Sequence, residues 1–163
     1  PLGKGQIFRI QGELNPEEAA AKYESDIRRS FRLEGAEMPQ FDVVALGMGP
    51  DGHTASLFPH TEALQEQMRI AVANHVPSQK DTWRITLTWP VINNARDVFF
   101  LVEAANKALP LKNVLLGAYN PEELPAQLIQ PTNRRITLLL DAAAAARLPA
   151  PAADGRGRLE VAR

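Results

Sequence analysis

Hydrophobic positions recur along this chain with two different periods. After Asn15, residues Ala20, Tyr23, Ile27 and Phe31 are spaced by three and four, which predicts an amphipathic helix running to about Arg32 with one buried stripe. Asn15 is suited to cap it, Pro16 to occupy its first position, and Glu17 and Glu18 to lie at the positive end of its dipole; LEGAEMPQ then ends it. Phe41–Met48 is instead a nearly continuous apolar run containing Val43 and Val44, the pattern of a central parallel strand covered on both faces. Trp83–Trp89 alternates: Trp83, Ile85, Leu87 and Trp89 share one face and Arg84, Thr86 and Thr88 the other, so both tryptophans are expected in the core.

Weaker signals fill the intervals. Gln6–Ile10 and Arg69–Asn74 read as short strands, Thr54–Phe58 as one or two helical turns, Pro90–Ala95 as a short helix and Val98–Val102 as a buried strand. Ala104–Leu116 reads as a helix that Pro110 kinks and Gly117 stops. NPEE at Asn120–Glu123 repeats the helix start seen at Asn15, and Arg135–Leu140 is a last apolar strand leading into Ala142–Leu148. Strands alternating with helices predict a single α/β domain over residues 1–148 with a mostly parallel sheet, and the Pro-, Ala- and Arg-rich residues 149–163 read as a poorly ordered tail.

Composition narrows the chemistry. At 163 residues and 45% hydrophobic content the chain can bury a core. Its 18 basic and 19 acidic residues give a net charge of −1 without blocks of like charge, so neither a nucleic-acid nor a membrane surface is expected. The lack of cysteine removes disulfides, thiolate metal sites and a catalytic thiol, and three histidines offer no spaced metal cluster; neither a metal nor a cofactor is expected. No apolar run reaches membrane-spanning length and PLGKGQIFRI lacks the features of a signal peptide, which together point to a cytoplasmic setting.

The chemistry-bearing stretch follows the Phe41–Met48 strand, where Gly47-x-Gly49-x-x-Gly52 matches the spacing of a dinucleotide-binding turn. Its context opposes that reading. Pro50 removes a backbone N–H, Asp51 sets a carboxylate where a diphosphate would lie, and the following strand ends in Asn74 rather than in an acid. The alternative is a sharp turn that delivers Asp51 and His53 to the carboxyl end of a strand, ahead of a helix whose first N–H groups favour a sugar phosphate or a developing oxyanion. His53 could take a proton from water while Asp51 orients substrate or its network. Singly, His53 could equally be a packed or capping side chain and Asp51 an Asx-turn residue.

LGMGPDGHTASLFP at Leu46–Pro59 resembles the signature of 6-phosphogluconolactonases, and TWRITLT at Thr82–Thr88 and PVIN at Pro90–Asn93 extend the likeness. FFLVEAANKA, LPAQLIQP and RITLLLD carry it on, so that it covers about Gln6 to Ala145. The related glucosamine-6-phosphate deaminases share LGxGxDGH but continue with IAFNEP where this chain has TASLFP. The resemblance implies a Rossmann-like three-layer α/β sandwich and metal-independent hydrolysis of 6-phospho-D-glucono-1,5-lactone to 6-phosphogluconate in the oxidative pentose phosphate pathway. It further implies that His53 is the general base, that Gly49, Asp51 and Gly52 shape the site around the sugar, and that Arg84 and Lys107 meet the phosphate.

The family's Gly-x-x-Lys reads Ala104-x-x-Lys107 here, and His60 and His75 are expected to be surface and structural residues respectively. The family's first strand, its Gly-Gly-Ser loop and its Asp-Glu-Arg segment find no counterpart by eye. The chain is therefore expected to be the C-terminal portion of such an enzyme with the N-terminal strands missing, inviting self-association or pairing with a missing N-terminal segment. Two further readings stay open at this point: a sugar-phosphate isomerase or deaminase of the same superfamily, and a non-catalytic sugar-phosphate-binding fragment.

Overall fold

Asn15 caps the first helix as its sequence predicts. In the computed structural model, which describes residues 3–133 and 135–149, its side chain accepts the Glu17 N–H at 3.1 Å, Pro16 opens the helix, and Arg32 closes it in the left-handed conformation. This helix, α1 (Pro16–Phe31), buries Ala19, Ala20 and Ile27. Glu24, on its inner side, accepts the Ile70 N–H at 3.1 Å and the Arg28 Nε–H at 3.0 Å, tying α1 to the start of the strand that follows Ile70.

The main sheet contains β1 (Val43–Leu46), β4 (Asp97–Val102) and β5 (Ile136–Leu140), all parallel, in the order β1-β4-β5. Strands β2 (Ala71–Val76) and β3 (Thr82–Leu87) pair antiparallel as a separate hairpin, with Asn74 opposite Arg84 and Ala73 opposite Ile85. Helices α2 (Trp89–Asn93), α3 (Ala108–Leu116) and α4 (Ala142–Ala145) complete a Rossmann-like α/β sandwich with a mostly parallel sheet. Val44, Leu46, Val98, Phe100 and Val102 on one face of the sheet meet Leu57, Ile92 and Leu111 in the core.

Several expectations are corrected. The N-terminal part of the fold is not missing from the architecture described: α1 and β1 both precede the glycine loop, and β1 is paired into the sheet. β1 is an edge strand buried on one face only, with Val44 and Leu46 inside and Val43 57% exposed, while β4 takes the central place. An unbroken apolar run does not say how many faces are covered, and here Val43, Leu101 and Leu139 remain exposed. Residues 6–10 form no strand; one 3₁₀ turn at Lys4–Gln6 leads into an unpaired stretch where Ile7 and Phe8 are exposed.

Residues 54–58 form no helix either. The Thr54 hydroxyl donates to the Gly47 carbonyl at 2.7 Å and Thr54 bridges Leu57, so side-chain bonding holds the segment as a loop. In β3 the expected burial sense does not hold along the strand. Trp83 is 51% exposed, whereas Thr86 and Thr88 are buried, their hydroxyls donating to the carbonyls of Leu87 and Arg69. Trp89 opens α2 instead of ending the strand and donates its indole N–H to the Leu64 carbonyl at 3.1 Å.

The segment expected as one helix over Ala104–Leu116 divides into a 3₁₀ turn at Ala105–Lys107 and α3; Pro110 sits in the first turn of α3, where a missing N–H is tolerated. The second NPEE makes only a turn and the 3₁₀ segment Pro125–Leu128, because Pro125 cannot supply the N–H that a continuing helix needs. Arg135–Leu140 and Ala142–Leu148 are realised as β5 and α4. The tail assigned to residues 149–163 lies, apart from Pro149, outside the described residues.

Candidate functional site

The loop leaving β1 folds on itself through short-range bonds. The Gly49 N–H donates to the His53 carbonyl at 2.8 Å and the Gly52 N–H to the Gly49 carbonyl at 3.1 Å. Gly52 has φ +77°, and a Cβ there would press on Leu124, whose neighbour Ala126 donates its N–H to the Gly52 carbonyl at 2.9 Å. Gly49 is required for a different reason. A Cβ at this position would run into Nδ1 and Cε1 of His53 and Oδ1 of Asp51.

That clearance lets the two side chains meet. Asp51 Oδ1 lies 2.5 Å from His53 Nδ1 and also accepts the His53 backbone N–H at 3.2 Å, so Asp51 is both an Asx-turn residue and the partner of the imidazole. A carboxylate only accepts, which places the proton on Nδ1 and leaves Nε2 as the basic nitrogen. The ring stacks on Phe58 with centroids 4.0 Å and planes 25° apart, which fixes its plane. The expected helix N-terminus beyond the loop is absent, so oriented helical N–H groups are not part of this site.

An open cleft of about 550 Å³ begins at this pair and is lined by His53, Gly49, Ser56, Thr86, Tyr23 and Lys107, among others. Lys107 reaches it from the turn before α3, donating from Nζ to the Met48 carbonyl at 2.9 Å. Asp51 and Gly52 are not among the lining residues; Asp51 is tied to the cleft through its contact with His53. Arg84 is exposed, on the hairpin face that also carries Thr86, and does not line the cleft although Ile85, Thr86 and Leu87 do; its side chain makes no ion pair among the described residues. His53, Asp51, Gly49 and Lys107 are thus brought together, and Arg84 stands apart at the rim.

Three lining groups escaped the sequence reading of the site. Tyr23 belongs to the apolar stripe of α1, where periodicity marks it as core; burial pushes its phenol up from the ordinary value. Ser56 and Thr86 are joined, Thr86 Oγ1 accepting the Ser56 N–H at 3.2 Å, and the polar face of the alternating strand was their only trace. The surface and structural assignments of the other histidines fit their settings: His60 faces Glu122 and Glu123, and His75 lies 2.8 Å from Asp81. Among the described residues no group of three or more His, Asp or Glu side chains is placed to hold a metal ion, and no helix is long and apolar enough to cross a membrane.

Behind Lys107, Ala104 adopts φ +81° and ψ 149°, a region that glycine favours. Its N–H donates to Asp141 Oδ2 at 3.1 Å, while Asp141 Oδ1 accepts the Ala144 N–H at 2.7 Å. These backbone donors hold the Asp141 carboxyl below the usual aspartate value.

A glycine-turned loop at the end of a parallel strand, presenting an Asp–His pair to a cleft that a lysine also lines, has the groups for proton transfer and lacks the features of a dinucleotide turn. The chain belongs to the family described as glucosamine-6-phosphate isomerases/6-phosphogluconolactonase, whose sequence model matches residues 1–157. It is 41% identical to the human 6-phosphogluconolactonase over 152 residues, covering 93% of this chain and 57% of that protein. It is 46% identical to a 6-phosphogluconolactonase of Nostoc over 134 residues, covering 82% and 54%. Among solved structures, 6-phosphogluconolactonase from Trypanosoma cruzi superposes with a TM-score of 0.77 at 26% identity, covering 91% of this chain and 62% of that one.

The chain thus spans little more than half the length of these relatives. The family match takes in the chain's N-terminal residues, which overturns the expectation of a C-terminal portion lacking the family's N-terminal part. That expectation rested on short motifs sought by eye, and the match is carried instead by the whole run of residues.

Proposed function

We propose that this chain carries the hydrolytic site of a 6-phosphogluconolactonase and opens 6-phospho-D-glucono-1,5-lactone to 6-phosphogluconate in the oxidative pentose phosphate pathway. The observation that supports this best is the 2.5 Å Asp51–His53 pair, cleared by Gly49 and opening on a cleft that Lys107 also enters. His53 Nε2 takes a proton from water as the oxygen adds to the lactone carbonyl, and Asp51 stabilises the imidazolium through Nδ1–H. As the tetrahedral intermediate collapses, the bond from the carbonyl carbon to the ring oxygen breaks, and the imidazolium returns the proton to that oxygen.

Lys107 binds the substrate phosphate, exchanging its bond to the Met48 carbonyl for one to a dianion, and Arg84 meets the same group from the rim. Gly49, Asp51 and Gly52 set the shape of the turn around the sugar. A small phosphorylated lactone as partner and a cytoplasmic setting belong to this reading. The test is lactone consumption above the spontaneous rate. His53→Ala should lower it by about 10²- to 10⁴-fold, the range a positioned general base supplies; equal rates for the two proteins would refute the assignment.

A further inference from the structure

We infer that Asp141 is a positioning residue for Lys107, holding the Ala104 turn in the conformation that sends the lysine to the loop after β1. The inference rests on the proposed contact of Lys107 with the substrate phosphate for its consequence in binding, and on bond geometry alone for its mechanism. β4 and β5 run parallel with Val102 beside Leu140, so the chain segments leaving them, at Ala104 and Asp141, emerge next to each other. Asp141 uses one carboxylate oxygen to cap α4 through the Ala144 N–H and the other to accept the Ala104 N–H.

At φ +81° and ψ 149° an alanine is held where it would not stay unaided. The Asp141 bond opposes its relaxation. Three residues on, Lys107 ends the 3₁₀ turn that this conformation starts, and its Nζ reaches the Met48 carbonyl at 2.9 Å. A rotation at Ala104 swings that turn as a unit and takes the ammonium off the cleft.

The cap and the clamp can be separated, because serine at position 141 still caps α4 but is too short to reach Ala104 as well. Asp141→Ser should therefore shift the Lys107 side-chain NMR resonances and weaken binding of 6-phosphogluconate, read by calorimetry, by about fivefold or more. Adding Ala104→Gly should restore both, since glycine adopts the turn without the clamp. Unmoved Lys107 resonances in Asp141→Ser, or a double variant no better than the single one, would overturn the inference. Lys107→Ala should weaken binding about tenfold or more. If it binds like wild type while the Lys107 resonances respond as expected, the positioning role stands and the phosphate contact is refuted.

Discussion

Replacing Gly49 by alanine isolates the Asp51–His53 pair. The backbone of Gly49 lies outside the left-handed region, so a Cβ is tolerated conformationally; what it meets is the imidazole and the carboxylate. The ring cannot retreat, because Phe58 is stacked on it at 4.0 Å. It must leave its rotamer, and the 2.5 Å contact with Asp51 goes with it. Overpacking of this kind destabilises by about 1–3 kcal/mol. A domain of this size then melts roughly 2–12 °C lower and stays folded at 25 °C.

The loss of a positioned base, in contrast, lowers turnover by about 10²- to 10⁴-fold. The two effects are therefore separable: lactone hydrolysis should fall to the level of His53→Ala while circular dichroism at 25 °C stays native. Gly47→Ala serves as the control, since a Cβ there meets only the Leu101 carbonyl at 3.9 Å, an ordinary contact, and turnover should hold. Activity of Gly49→Ala within threefold of wild type, with the imidazole N–H resonance of His53 unshifted, would refute the reasoning.

Two other outcomes follow from the bonds described. Glu24→Ala leaves the buried Ile70 N–H unpaired and should cost about 1–3 kcal/mol, read as a lower urea midpoint; an unchanged midpoint would show that α1 is held by its apolar face alone. Because N–H donors depress the Asp141 carboxyl below its ordinary 3.8, its bond to Ala104 is fully present above that pH and is lost only as the pH falls through the lower folded value. Protection of the Ala104 amide, followed by NMR, should hold down to about pH 4 and fade below it, and fading already at pH 5 would contradict the assignment.

Features written in neighbouring residues were legible in the sequence. α1 was, because its cap, its first proline and its spacing of apolar positions all lie within one segment; so was the turn that carries Asp51 and His53 together to the end of β1, although not the bond between them. Burial sense was not. Thr86 goes inward because it meets Ser56, thirty residues upstream, and Trp83, near the turn of the hairpin, is left exposed beside His75. Lys107 reaches Met48 across 59 residues, and no local pattern records that distance; only the resemblance of AANK to a family motif marked the lysine. Asp141 closes the RITLLLD stretch of that resemblance, but its bond to Ala104 depends on two strands ending side by side, which no local pattern records.

The loop between β1 and β2 is anchored twice, on different bodies. Up to Thr54 it is fastened to its own start through the Gly47 carbonyl and to the Pro125–Leu128 turn through the Ala126 N–H; from Ser56 it is fastened to the hairpin, through Thr86 and Asn74. Ala55, with φ +49°, is the single residue between the two anchorages. Phe58, which stacks on the imidazole, lies on the hairpin-anchored side of Ala55, so the His53 ring is held by both halves of the loop at once.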